Sequence, residues 1–175
     1  MLELEPGNKD ALLAKARLLC RQSQYDEAVA LCDAAIAIDP RDPKAYYRVG
    51  RAFEGKRELA AAAISYAKAS ELDPEWLSPL LRRGRALLEL GRSDEALAAL
   101  DQAVASHATS ADAHRGRGDI LLELRRFDDA LASFDRAIEL APGQVQLYGI
   151  RGHLKTEIGR PGEALEDYGQ ALNII

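Results

Sequence analysis

The sequence predicts an all-α fold, a stack of short helix-turn-helix units, and three observations carry that expectation. The prolines keep a ruler: Pro6, Pro40, Pro74 and Pro142 stand 34, 34 and 68 residues apart, with Ala108 at the one vacant tick. A fixed period near 34 marks a helical repeat array rather than one globular core. Small residues keep the same ruler, as Ala16, Gly50, Gly84, Gly118 and Gly152. The chain of 175 residues is 47% apolar but only 6% aromatic, which suits close helix packing with few large anchors.

Aligned on the period, the chain divides into units 9–42, 43–76, 77–110, 111–144 and 145–175, with 1–8 read as the tail of a preceding unit. The first unit carries Leu12 and Ala16 on one helix (9–22), then Ala28, Cys32 and Ala35 on the next (25–38), stopped by Asp39-Pro40. The second repeats this as Tyr46 and Gly50 (43–56), then Ala62, Tyr66 and Ala69 (59–72), stopped by Asp73-Pro74. The third has Leu80 and Gly84 (77–90), then Ala96, Leu100 and Ala103 (93–106). The fourth has His114 and Gly118 (111–124), then Ala130, Phe134 and Ala137 (127–140), before Pro142. The fifth has Tyr148 and Gly152 (145–158), then Ala164, Tyr168 and Ala171 (161–174). Pro161 falls in the first turn of its helix, where proline is tolerated.

Two antiparallel helices approach closely only where the facing side chains are tiny. Gly or Ala at a fixed crossing point permits that approach, and the larger residue of each unit fills the space beside it. Glycine inside a helix costs about 1 kcal/mol against alanine, so its recurrence at one column implies a packing reason. Each proline past a second helix ends that helix and sets the turn.

These columns, a large residue, then Gly, an aromatic, Ala, an aromatic, Ala and Pro at set spacing, resemble the tetratricopeptide repeat family across essentially the whole chain. The departures are Ala16 for Gly, His114 at the first aromatic column, Ala108 for Pro, and Lys155 at a usually apolar position. None breaks the register, and those at His107-Ala108 and at Lys155 are expected to loosen the third junction and the last unit. The resemblance implies a right-handed α-solenoid of five units whose first helices line a concave groove. Residues 2–8 match a unit's tail and 171–175 stop short of the next proline. The chain is therefore expected to be a piece of a longer array, with sticky uncapped ends open to self-association.

Charge separates by helix type. The five first helices hold 15 Lys or Arg and 7 Asp or Glu, the five second helices 2 and 14. A chain of net charge −5 thus has a basic groove, which would steer an acidic partner. The basic half comprises Arg17, Lys44, Tyr47, Arg48, Arg51, Arg82 and Arg85, and the mixed half Arg115, Asp119 and His153. The expected occupant is an extended or helical peptide with an acidic or amphipathic stretch. Arginine suits this because its planar fork pairs a carboxylate bidentately. The alternative for the same arginines is a solvated helix face. Arg83, Arg117 and Arg151 occupy a column where their stems pack between helices, and they stay outside the site. In the family's chaperone-binding members a clamp of Lys, Asn and Arg holds a peptide's terminal carboxylates. Lys44 and Arg48 match its last pair, but Ala14 stands where an Asn belongs, so that specificity is not expected.

No catalytic constellation accompanies the groove. His107, His114 and His153 have no nucleophile at a recognisable spacing, and the repeating glycines are packing glycines rather than a phosphate loop. Pairs such as Asp94-Glu95 and Asp128-Asp129 open second helices, where they complement the helix dipole. Cys20 and Cys32 read as reduced thiols, with a disulfide or metal pair as the minority alternative. No metal, cofactor or small-molecule substrate is expected. The acidic balance disfavours nucleic acid, no uncharged run of 18 residues spans a membrane, and free thiols without a signal peptide lean towards the cytoplasm. The leading expectation is a non-catalytic protein–protein interaction scaffold. The alternatives are a structural spacer or end-to-end assembling module, and a substrate-positioning or regulatory segment of a larger enzyme.

Overall fold

The computed structural model describes residues 8–174. The expected tail, but for Asn8, and Ile175 at the expected sticky end lie outside those residues. Ten helices and no strand occur among the described residues: α1 (Lys9–Arg21), α2 (Tyr25–Ile38), α3 (Pro43–Gly55), α4 (Leu59–Leu72), α5 (Leu77–Glu89), α6 (Ser93–Ser106), α7 (Ala111–Glu123), α8 (Phe127–Leu140), α9 (Val145–Glu157) and α10 (Pro161–Ile174). They form two compact units, Met1–Ala96 and Leu97–Ile175, with the division inside α6.

Every first helix ends one residue before its expected end, and one backbone motif explains all five. The residue after the helix still donates to the carbonyl four back, as Gln22 does to Leu18 and Lys56 to Ala52. The next residue turns left-handed: Ser23 at φ 60°, Arg57 at 64°, Gly91 at 75°, Arg125 at 57° and Gly159 at 80°. The residue beyond then donates back across the helix end, as Gln24 does to Leu19 at 2.9 Å and Arg126 to Leu121 at 2.9 Å. This paired closure satisfies carbonyls that the helix end would leave bare. Second helices close differently, into a tight turn before the next cap. Asp39, Asp73, His107 and Ala141 accept from the backbone three residues on, so the turn at His107 forms without a proline.

The crossing-point argument holds at atomic scale. A Cβ placed on Gly50 would lie 2.6 Å from the Tyr66 ring, and one on Gly118 would lie 2.6 Å from the Phe134 ring. Both rings are fully buried. In the first repeat the small position is Ala16 and its partner column holds Cys32, so a larger small residue goes with a smaller large one. Within the first unit Leu13, Ala16, Ala28, Cys32, Ala35, Ala45 and Val49 belong to one core cluster. Within the second, Leu121, Phe134 and Leu154 form one cluster, and Ala137, Leu147 and Tyr148 another. Caps fix several starts: Asn8 accepts from the Ala11 amide, Asp42 from Lys44 and Ser110 from Ala113. Each contributes about 1 kcal/mol.

Two departures from the repeat pattern answer each other. Tyr46 donates its hydroxyl to the Pro40 carbonyl at 3.1 Å. One unit-pair later His114 stands at the same column, and its Nε2 lies 3.0 Å from the Ala108 carbonyl. The imidazole thus keeps the phenol's bond to the same backbone position. Lys155, the third departure, is not exposed: its Nζ lies 3.0 Å from the Asp167 carboxylate.

Candidate functional site

In the first unit the first-helix bases fall into two groups. A pocket of about 550 Å³ opens between α1 and α3, lined by Arg17, Cys20, Arg21, Tyr47, Arg48 and Arg51. Four of the expected groove residues are therefore brought together. Arg21 and Cys20 were not among the expected site residues. The signal for Arg21 was its place one helical turn after Arg17, on the same face of α1. Arg17 and Arg21 are exposed and have no carboxylate partner among the described residues. Arg48 is half-buried, and its Nε is enclosed with no hydrogen-bond partner. Arg51 makes only a long contact, its Nε 3.5 Å from Glu54.

Arg82 belongs to the second group. Its Nη1 donates to both Glu54 oxygens, at 3.0 and 3.2 Å, and Tyr66 donates its hydroxyl to the same carboxylate at 2.6 Å. Burial would lower the Arg82 pKa, but Glu54 and Tyr47 outweigh it and the guanidinium is held charged. Burial and the Glu54 bond push the Tyr66 phenol well above its ordinary range, so it stays a donor. A smaller pocket of about 180 Å³ adjoins, lined by Cys20, Tyr25, Arg51, Glu54, Gly55 and Arg82. Arg85 is turned to Glu89, whose other oxygen takes Arg57. Lys44 is exposed on α3, one turn before Arg48.

Tyr47 is fixed rather than free. Its ring lies 4.6 Å from Trp76 and 5.5 Å from Tyr66, both tilted, an arrangement favourable to aromatic pairs. It gives the pocket a rigid wall. The thiols are both free. Burial raises the Cys20 pKa against the pull of Arg51 and Arg48, and pushes Cys32 up to about 12. Both are therefore thiols, not thiolates, at neutral pH. No group of three or more His, Cys, Asp or Glu that could hold a metal occurs among the described residues.

In the second unit two of the expected site residues, Arg115 and Asp119, are paired with each other. Arg115 bridges Asp112 at 3.3 Å and Asp119 at 3.2 Å on its own helix. His153 is exposed on α9. Two members of the arginine column expected to pack its stems, Arg117 and Arg151, make ion pairs as well. Arg117 donates to Asp101 at 2.7 Å and to the Ser133 hydroxyl at 2.9 Å. Arg151 takes Asp167 bidentately, with Asp135 on its other side. Asp167 is 2% exposed. Burial would raise its carboxyl, but bonds from Arg151 and Lys155 prevail and hold it below the ordinary carboxylate range.

No helix among the described residues is long and apolar enough to cross a membrane. Three family models, each described as tetratricopeptide repeat, match residues 1–52, 43–75 and 81–145. Tetratricopeptide repeat protein 28 of Mus musculus is 31% identical over 86 residues, covering 49% of this chain and 4% of its own length. The chain therefore spans a small part of that curated relative. MamA 41-end from Desulfovibrio magneticus RS-1 superposes with a TM-score of 0.75 at 19% identity, over 97% of both chains. The structure described as YrrB, a TPR protein with an unusual peptide-binding site, gives 0.67 at 24% identity, over 96% of this chain and 87% of its own. At those identities the likeness concerns the fold alone, and it is a helical-repeat fold throughout. With the same 34-residue columns, the same helix pairs and matching models along most of its length, this chain belongs to the tetratricopeptide repeat family.

Proposed function

We propose that the chain is a non-catalytic protein–protein interaction scaffold whose basic first-helix face binds an acidic or amphipathic peptide segment of a partner protein. Tetratricopeptide repeat proteins are in general interaction modules, and the description of YrrB names a peptide-binding site. The observation that carries the finer reading is the α1–α3 pocket, whose arginines outnumber the carboxylates near them. Guanidinium forks in a concavity attract carboxylates from a distance and fix their register on arrival. Affinity would come from apolar side chains laid along the same face, where Tyr47 and Trp76 offer a rigid surface.

The test is binding of labelled acidic peptides to the wild type and to an Arg17/Arg21/Arg51→Gln variant, each followed against salt. Tight binding that weakens with salt and vanishes in the variant, with unchanged circular dichroism and melting, supports the reading. Equal binding to both proteins overturns it. A second reading is end-to-end self-association. Leu165 and Leu172 on α10 are 71% and 74% exposed, with Tyr168 and Ile174 also open. Sedimentation of the wild type and of Leu172→Glu at rising concentration decides it, since a mass independent of concentration removes this reading.

A further inference from the structure

We propose that the α1–α3 pocket is a phosphoryl-recognition site, taking a phosphorylated side chain of the peptide that the basic face binds. The proposal rests on the acidic-peptide reading above and narrows it. Three features of the pocket point beyond a single carboxylate.

Its charge is unbalanced. Four guanidinium groups line about 550 Å³, and Glu54, 3.5 Å from one of them, is already occupied by Arg82 and the Tyr66 hydroxyl. Arg17, Arg21 and Arg48 have no carboxylate partner among the described residues. One carboxylate has two oxygens in one plane and satisfies a single fork. A phosphomonoester carries about −1.5 to −2 charges and three acceptor oxygens in a tetrahedral array, so it can serve three forks at once.

Its donors are also preset. Arg48 Nε is enclosed and unpaired, a state that is unfavourable for a buried polar group. An oxyanion drawn into the pocket would give the half-buried Arg48 guanidinium the acceptor it lacks. The walls are rigid or small: Tyr47 is held against Trp76, and Cys20 is a neutral thiol that leaves room for the ligand. The overall charge of −5, with acids concentrated on the second helices, disfavours a nucleic acid as the source of the phosphate.

Three fluorescein-labelled heptapeptides with identical glutamate-containing flanks test this, differing only in a central phosphoserine, glutamate or serine. Anisotropy titrations at fixed ionic strength give the affinities. The signal of Arg48 Nε in ¹⁵N spectra reports occupancy directly, with inorganic phosphate as a second probe. The phosphoserine peptide is expected to bind at least about tenfold more tightly than the glutamate peptide. Phosphate should shift the Arg48 Nε signal. Arg17→Gln/Arg21→Gln should abolish most of the phosphoserine advantage without altering circular dichroism, because neither side chain supports the fold. Arg48→Lys should also lose it, and the remote Arg136→Gln should not. If glutamate and phosphoserine peptides bind equally, the pocket reads carboxylates: the phosphoryl inference falls and the acidic-peptide reading stands. If none of the three binds, both fall. A ten-residue oligothymidylate binding more tightly than the phosphoserine peptide would overturn both in favour of nucleic acid.

Discussion

The two units differ in how many of their first-helix arginines are left without a carboxylate. In the first, Arg17, Arg21, Arg48 and Arg51 share a pocket and have between them one long contact to a carboxylate. In the second, Arg115, Arg117 and Arg151 each meet at least one aspartate, and Lys155 joins them. The charge count along the first helices already falls from one unit to the other, yet the difference in availability is larger than the count. An arginine tied to two carboxylates adds little to the outward field, while an unpaired one adds its whole charge. In the first unit four pocket arginines are left with little carboxylate pairing, while in the second Arg117 and Arg151 tie one helix to another.

The sharpest way to break this comparison is to remove one fastening arginine. Arg151→Met leaves the Asp167 carboxylate buried with Lys155 as its remaining partner. Losing the bidentate partner while Lys155 stays costs roughly 2 kcal/mol. Urea unfolding of the variant should show that loss, whereas Arg17→Gln should stay within about 0.5 kcal/mol of wild type. Acid should act on the same bond. Asp167 is depressed in the folded state, so its contribution is complete above the ordinary aspartate pKa of about 3.9. It is lost as pH falls from there through the lower folded value, because the unfolded chain then binds the proton first. The wild type should therefore weaken across that acid range more steeply than an Arg151→Met/Asp167→Leu variant. Equal slopes would mean that Asp167 is not the group responsible.

Crossing points offer the next largest effect. Gly50→Ala drives a methyl into the Tyr66 ring, and the overpacking costs about 1–3 kcal/mol. The first repeat already pairs Ala16 with Cys32. In a Tyr66→Cys background the cost of Gly50→Ala should then nearly disappear, giving a coupling energy of about 1 kcal/mol or more in the cycle. Additive single and double variants would show that the ring is not what excludes the methyl. Smaller still is Glu54→Gln, which releases Arg82 while keeping the group's shape. It should raise affinity for an acidic peptide about threefold and steepen its salt dependence. An unchanged affinity would place Arg82 outside the binding face.

Most of the fold was legible because the period fixes five copies of one solution. Gly50 and Tyr66, or Gly118 and Phe134, are separated by the same 16 residues in sequence and meet across the same crossing point. The first-helix ends were displaced by one residue even where glycine takes the left-handed position, at Gly91 and Gly159, because the residue before it is a cap that still donates to the carbonyl four back. The candidate site was legible as a basic face but not as a partition between paired and unpaired arginines. Periodicity places Arg82 at the column of Arg48 and Arg85 at the column of Arg51, and nothing in that spacing says that Glu54 takes Arg82 and barely touches Arg51. Asp167 was likewise invisible, since an aspartate on a second helix looks like one more member of the acidic outer face. Its burial follows from Arg151 and Lys155, which approach it from another helix.

The left-handed positions supply the smallest and cleanest prediction. Left-handed backbone costs an L-residue with a Cβ roughly 1 kcal/mol that glycine does not pay. Gly91 and Gly159 already occupy the position in two of the five turns. Ser23 does little there beyond a 3.5 Å contact to the Tyr25 hydroxyl, whereas Arg57 pairs with Glu89 and Arg125 lies over the Phe127 ring. Ser23→Gly should therefore stabilise the first unit by about 0.5–1 kcal/mol, read as a higher urea midpoint. Arg57→Gly and Arg125→Gly should gain less, because each also loses a contact. A loss of stability in Ser23→Gly would mean that freedom regained by the unfolded chain outweighs the strain relieved in the fold.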